Sequence, residues 1–243
     1  MSLARRASAE FAGTGLLVAA VVGSGIAAAR LSPQDAGLEL LENALATGLA
    51  LGALILTFGP VSGAHFNPVV SAVDWWLGRR IGTGLTAVDL VGYIAGQVLG
   101  AVAGAVLADL MFGVPAAGWS HTQRTGGHLW LAEVIATSGL VLLVVALACG
   151  GRGAAAPAAV GAYIGAAYWF TSSTSFANPA VTIGRTVTDT FAGIAPSSAP
   201  GFIAAQILGG LLAVAAIAWW YPEAGRVADA VAVPRAEPEA VHQ

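Results

Sequence analysis

Lysine is missing altogether: every one of the ten basic residues in this 243-residue chain is arginine. Charge of either sign is scarce, at 9% of residues against roughly 25% in a soluble domain. That shortage excludes an ordinary water-soluble globule. No basic cluster stands out and the net charge is −3, so nucleic acid is excluded as a partner. Cysteine occurs once, as Cys149, which rules out an internal disulfide. It lies in an apolar stretch and reads as an inert core residue. The few carboxylates inside apolar stretches, Glu10 and Glu133, have no nucleophile or set of metal ligands beside them, so no enzyme, metal or cofactor is expected.

Apolar residues are plentiful: 57% of the chain is hydrophobic and the mean hydropathy is +0.77. Six apolar stretches, about 8–29, 40–59, 85–111, 129–149, 157–174 and 200–221, each approach the roughly 20 residues that a bilayer requires. The first is too long for a signal peptide and lacks a clear cleavage site, so it is expected to remain as a span. The tail 223–243 is rich in Pro, Glu and Ala and is expected to be disordered.

Between spans two and three, and again after span five, the chain carries Asn-Pro: Asn67-Pro68-Val69 and Asn178-Pro179-Ala180. Asn caps the first free N–H groups of a helix, and Pro at its first position loses no hydrogen bond. The flanking segments, about 63–78 and 174–190, are too short and too polar to cross a membrane. They are expected to dip into the bundle as two short re-entrant helices. Irregular backbone at that depth must be enclosed by protein or face water. Helices of this kind aim their positive ends at one midplane site.

The halves repeat. Ala9-Glu10-Phe11 matches Ala132-Glu133-Val134, and Tyr93-Ile94-Ala95-Gly96-Gln97 matches Phe202-Ile203-Ala204-Ala205-Gln206. Three spans per half is an odd number, so the second half enters inverted. Gly92, Gly96, Gly100 and Gly104 form a ridge on span three where another backbone can approach closely. With the N-terminus inside, Arg5, Arg6, Arg79, Arg80, Arg152, Arg226 and Arg235 fall inside and only Arg30, Arg124 and Arg185 outside. That bias predicts both termini in the cytoplasm and a multi-pass protein of the cell (inner) membrane.

On these motifs, together with Ser62-Gly63-Ala64-His65-Phe66 before the first box, residues 8–221 resemble the major intrinsic protein family of aquaporins and aquaglyceroporins. The resemblance implies an all-α membrane fold of six transmembrane helices plus two half-helices in an inverted 3+3 repeat. It implies one channel domain over 1–222, with halves at about 8–112 and 129–222. It also implies a homotetramer in the lipid bilayer, with small neutral solutes as the cargo. In the family, glutamates placed like Glu10 and Glu133 hold the dipping loops. Asn67 and Asn178 would meet at the centre. Gly63, Ala64, His65 and Phe66, with Phe176 and Ala177, would run extended and present a ladder of carbonyls, and His65 would shape the inner vestibule. His65 has no second His or Cys at metal-binding spacing.

The chain departs from the family's pattern at its filter. Most members carry Arg three residues after the second Asn, and here that residue is Val181. Counting back without gaps puts the other filter positions at Thr47, Ala166 and Ser175. Such a ring supplies no cation and no aromatic group, and it predicts a wide opening. The first box ends in Val69 rather than Ala, a change expected just inside the constriction. Arg185 lies one turn beyond Val181, and two readings stay open: it reaches back to the pore mouth, or it pairs with Asp189 on the outer surface.

The Arg-less filter resembles a bacterial branch linked to arsenic detoxification. The leading expectation is a passive channel for water and small neutral solutes such as glycerol and arsenite. A strict water channel is one alternative. A secondary transporter with broken helices is another, although no intramembrane ion pair or sodium cage accompanies the breaks.

Overall fold

The computed structural model describes residues 1–230, and every described element is helical. The long helices are α1 (Leu3–Leu31), α2 (Ala36–Ser62), α4 (Ala87–Phe112), α5 (Gly127–Cys149) and α8 (Ala199–Trp220). These five are long and apolar enough to cross a membrane. The sixth, α6 (Ala156–Phe170), is shorter and follows a single 3-10 turn at Gly153–Ala155. It stops at Phe170 rather than at residue 174, because Thr171 turns extended and caps back onto Ala167. The half-helices are α3 (Pro68–Gly78) and α7 (Pro179–Gly184), the latter continued by a 3-10 turn at Arg185–Val187.

Each half has the order span, span, half-helix, span. Within the halves, α1 packs on α2 and α4, and α5 packs on α6 and α8; α2 against α6 joins them. The half-helices lie between, with α7 wedged against α4 as well as α8. The glycine ridge on α4 faces α1. A Cβ on Gly104 would sit 2.0 Å from the carbonyl oxygen of Gly15, and one on Gly100 would sit 2.2 Å from that of Phe11. With little hydrophobic drive between helices in lipid, this backbone contact is what small residues provide.

The tail departs from expectation at its start. Residues Ala224–Ala230 form 3-10 turns, with Ala224 and Ala228 buried against the core and Thr83 Oγ1 donating to the Gly225 carbonyl at 2.7 Å. Two small apolar side chains at i and i+4 give this segment a face to bury. The rest of the expected disordered tail, 231–243, lies outside the described residues.

Candidate functional site

Each half-helix begins at its Asn-Pro box. Asn67 Oδ1 accepts from the Val69 N–H at 2.9 Å, and Asn178 Oδ1 accepts from Ala180 and Val181 at 3.0 and 3.3 Å. The side-chain amides then cross over. Asn67 Nδ2 donates to the Ala177 carbonyl and Asn178 Nδ2 to the Phe66 carbonyl, both at 2.7 Å. Each box is therefore tied to the loop that leads into the other.

The loops ahead of the boxes hang on two buried carboxylates. Glu10 accepts from Ser62 Oγ (2.6 Å), the N–H groups of His65 (3.0 Å) and Phe66 (2.7 Å), and Gln97 Nε2 (2.8 Å). Glu133 accepts from Ser173 Oγ (2.6 Å), the N–H groups of Phe176 (2.9 Å) and Ala177 (2.8 Å), and Gln206 Nε2 (2.6 Å). Both side chains are fully buried. A carboxylate is tolerable at this depth only with such partners.

The loops are not extended, contrary to the sequence reading. Gly63, Ala64 and Phe66 have positive φ, and so do Thr174, Ser175 and Ala177. In an extended strand, successive N–H groups point to opposite sides. Here two successive N–H groups must reach one carboxylate, and left-handed residues build that concavity. Each non-glycine residue held this way costs about 1–3 kcal/mol, which the hydrogen bonds to the glutamates offset. All peptide bonds among the described residues are trans. Each carbonyl therefore points opposite to the next N–H, so those of Ala64, His65, Ser175 and Phe176 face away from the glutamates.

On that side lies a narrow lumen. Asn67, Asn178, Ala64, His65, Phe66, Ser175, Phe176 and Ala177 line it, and Leu17, Val21, Leu51, Ile55, Val144 and Ile164 form an apolar wall. The space open to water centres is about 70 Å³. At roughly 10–15 Å³ per water, that suits a short file of molecules. Ser175 Oγ is buried there without a hydrogen-bond partner among the described residues. His65 Nδ1 lies 3.1 Å from Ser71 Oγ, and its ring packs edge-on against Tyr93.

Several expected lining residues are placed elsewhere. Pro68, Val69 and Pro179 back onto an apolar slot beside α8, where Val69 packs against Gly210. Ala180 is fully buried in the core. Gly63 caps α2 in a left-handed conformation. Val69 is therefore a packing residue, not part of the constriction. Helix α3 turns Asn67 and Val70 to the lumen and Val69 away from it.

The expected ring of Thr47, Ala166, Ser175 and Val181 also needs correction. Thr47, Ser175 and Val181 line the lumen, but Ala166 is exposed in an outer groove between α2 and α6. Tyr168 takes the inward position, and its hydroxyl donates to Thr47 Oγ1 at 3.2 Å. A shift of two residues turns a helix by about 200°. Ungapped counting missed this. A tyrosine in an otherwise apolar helix, whose hydroxyl requires a partner, was the available signal.

Arg185 resolves the two open readings. It is buried, lines the lumen and makes no pair with Asp189. Its Nε donates to the Ala192 carbonyl, and its guanidinium lies 3.4 Å from the centroid of Phe176. Arg124, held by the carbonyls of Gly193 and Phe191, lies 5.4 Å from the same ring. Burial pushes the Arg124 guanidinium below its ordinary pKa, while Tyr168 and Glu133 oppose that shift. Asp189 instead accepts from the His121 backbone N–H at 2.9 Å and lies 3.0 Å from its ring. Those contacts, the backbone bond first, hold its carboxyl below the usual range. The lumen thus contains the cation that one of the two open readings placed there, and a phenol that the four-residue ring did not include.

A helical bundle with two half-helices meeting at capped asparagines, around a narrow lumen, defines a membrane channel rather than an enzyme. Residues 1–177 match the family described as Major intrinsic protein, and the chain belongs to that family. The match ends at the residue before Asn178, so the second box stands on the geometry above. Over 217 residues the chain is 51% identical to the aquaglyceroporin AqpS of Rhizobium meliloti (strain 1021), covering 89% of this chain and 90% of that protein. It is 36% identical over 150 residues to aquaporin Z of Brucella melitensis biotype 1, covering 57% and 63%. The crystal structure of the aquaglyceroporin from Plasmodium falciparum superposes with a TM-score of 0.64 at 18% identity, over 94% of this chain and 99% of that one. That likeness concerns the fold. The chain is a multi-pass membrane channel for water and small solutes.

Proposed function

We infer that this channel passes water together with small uncharged polyhydroxyl solutes, such as glycerol and undissociated metalloid acids like arsenous acid. The observation that carries the reading is the two-sided lumen. One wall is aliphatic; the other presents Ser175 Oγ, the asparagine amides and the outward carbonyls. A polyol has the same two sides, carbon along one edge and hydroxyls along the other. Val181 leaves open the position where a guanidinium would stand closest to the second box. Arg185 supplies the filter's cation from one turn further out, with Tyr168, Thr47 and Ser175 completing the ring. The name aquaglyceroporin of the relative 51% identical to this chain agrees with the reading.

The second N–H of each asparagine amide serves the permeating molecule, and the half-helix ends repel cations at the same place. The arginine bias supports a cell (inner) membrane orientation with both termini cytoplasmic. The small-residue groove between α2 and α6 supports assembly as a homotetramer of one domain, 1–222, per subunit. A strict water channel is the second reading, favoured by the narrowness of the lumen. Stopped-flow light scattering of proteoliposomes with water, glycerol and arsenite gradients separates the two. Glycerol and arsenite flux above that of empty liposomes is expected; water flux alone would overturn the first reading.

A further inference from the structure

The backs of the two boxes face a second cavity that plays no part in the lumen. Helices α4 and α8 leave a slot of about 330 Å³ between Ile94 on one side and Ile203, Ile207 and Leu211 on the other. Its floor includes Pro68 and Pro179, and its lining is almost wholly apolar. Trp76 lines one part of it. The same Trp76 lines an adjoining cavity of about 450 Å³ with Arg79, Arg80, Tyr221 and Arg226. An apolar slot therefore runs into a basic mouth.

The charges in the mouth are unequal. Arg226 is paired with Glu223 at 2.8 Å. Arg79 and Arg80 are exposed and have no acidic partner among the described residues. The Arg79 guanidinium lies 3.2 Å from the centroid of the Trp76 ring, which fixes it at the rim. A guanidinium so placed keeps its N–H fork free for a phosphate.

We propose that this slot and mouth form a site for an anionic phospholipid of the phosphatidylglycerol type. One acyl chain lies between α4 and α8 against the two prolines, and the phosphodiester sits on Arg79 and Arg80. Charge complementarity selects the lipid: a basic pocket between spans at the membrane boundary takes acidic headgroups, and each methylene buried in the slot adds apolar contact. The bound chain packs behind both half-helices, where Val69 already meets Gly210.

The test is intact-mass measurement of detergent-purified, delipidated protein titrated with phosphatidylglycerol or phosphatidylcholine of identical chains. Two arginines at the headgroup predict a first-site preference for phosphatidylglycerol of about 30-fold. Arg79→Gln with Arg80→Gln should abolish it, and Arg79→Lys with Arg80→Lys should keep part of it. Ile207→Trp, which fills the slot, should weaken first-site binding of both lipids. Water flux equal to the parent's certifies each variant as folded. Four results would overturn the proposal. They are no preference in the parent, a preference that survives the glutamine pair, and displacement of the lipid by glycerol phosphate without acyl chains. The fourth is Ile207→Trp altering the oligomeric state but not lipid binding, which would make the slot an interface between copies.

Discussion

Glu10 and Glu133 receive matching sets of donors: a serine at the last residue of a span or three residues past its end, two successive backbone N–H groups, and a glutamine from the half's last helix. Gln97 and Gln206 also reach Ser71 and Thr182, each four residues beyond its Asn. The correspondence ends seven residues beyond the Asn. There the first half has Asp74, buried on α3, where it accepts from the Leu85 N–H at 2.7 Å. The second half has Arg185, which leans on Phe176 and faces the lumen. In the loop itself, His65 and Tyr93 stand where Phe176 and Phe202 stand. The chemistry that suspends the loops is the same in both halves. The chemistry seven residues beyond each Asn has diverged, with Arg185 at the lumen and Asp74 away from it, so support and selectivity sit on different residues.

Removing a suspending carboxylate should test the shared part most severely. Glu10→Ala and Glu133→Ala each strand two buried N–H groups, at about 1–3 kcal/mol apiece, besides the left-handed backbone they stabilise. Both variants are expected to lose most folded yield by size-exclusion chromatography. One tolerant half would break the equivalence.

Asn67→Asp and Asn178→Asp should come next. The new carboxylate would face the Ala177 or Phe66 carbonyl with no proton to share, and its charge would oppose the half-helix ends. A fall of about tenfold or more in water and glycerol flux is expected in both, equal to roughly 1.4 kcal/mol of barrier. Unchanged flux and unchanged ion exclusion would show that the boxes do not meet in the path.

The diverged pair should then separate stability from selection. Arg185→Ala is expected to raise glycerol flux about tenfold relative to water, roughly 1.4 kcal/mol. Val181→Arg sets two guanidinium groups one turn apart, and should lower flux of every solute. Asp74→Asn should cost about 1–3 kcal/mol through its buried charged hydrogen bond, lowering Tm with solute ratios unchanged. Altered ratios in Asp74→Asn, or unaltered ones in Arg185→Ala, would sink the assignment.

The smallest effect should come from the exposed pair of His121 and Asp189. The Asp189 carboxyl is held below its unfolded value, so its stabilisation is fully present above about pH 3.9 and fades as pH falls through the lowered folded value. Asp189→Asn should leave Tm at pH 7 within error, because solvent screens the pair. A clear drop would mean that the loop carrying His121 is anchored by that contact.

Much of this architecture was legible in the sequence because membrane depth leaves few options. An Asn-Pro after a long apolar stretch must start a helix, and a carboxylate within a span must find donors. Both constraints act locally and twice over. The filter was less legible because it depends on the rotation of α6, which no repeat fixes. Counting chose Ala166, where the geometry turns Tyr168 inward. Arg185 was undecided because two chemically sound partners lay within reach, a surface carboxylate at i+4 and a buried aromatic face. Only the return of the chain at Ala192, bringing a carbonyl to the guanidinium, decides between them.

The crossed asparagine bonds also impose an order on biosynthesis. The carbonyl that Asn67 requires belongs to Ala177, 110 residues further on. At synthesis rates of roughly 5–20 residues per second, it leaves the ribosome about 5–20 s after Asn67 does. Throughout that interval the first re-entrant loop can rest on Glu10, but its amide has no mate. The nascent first half is therefore an unfinished object that the insertion machinery must shelter, and arrival of the second loop is the event that closes the channel.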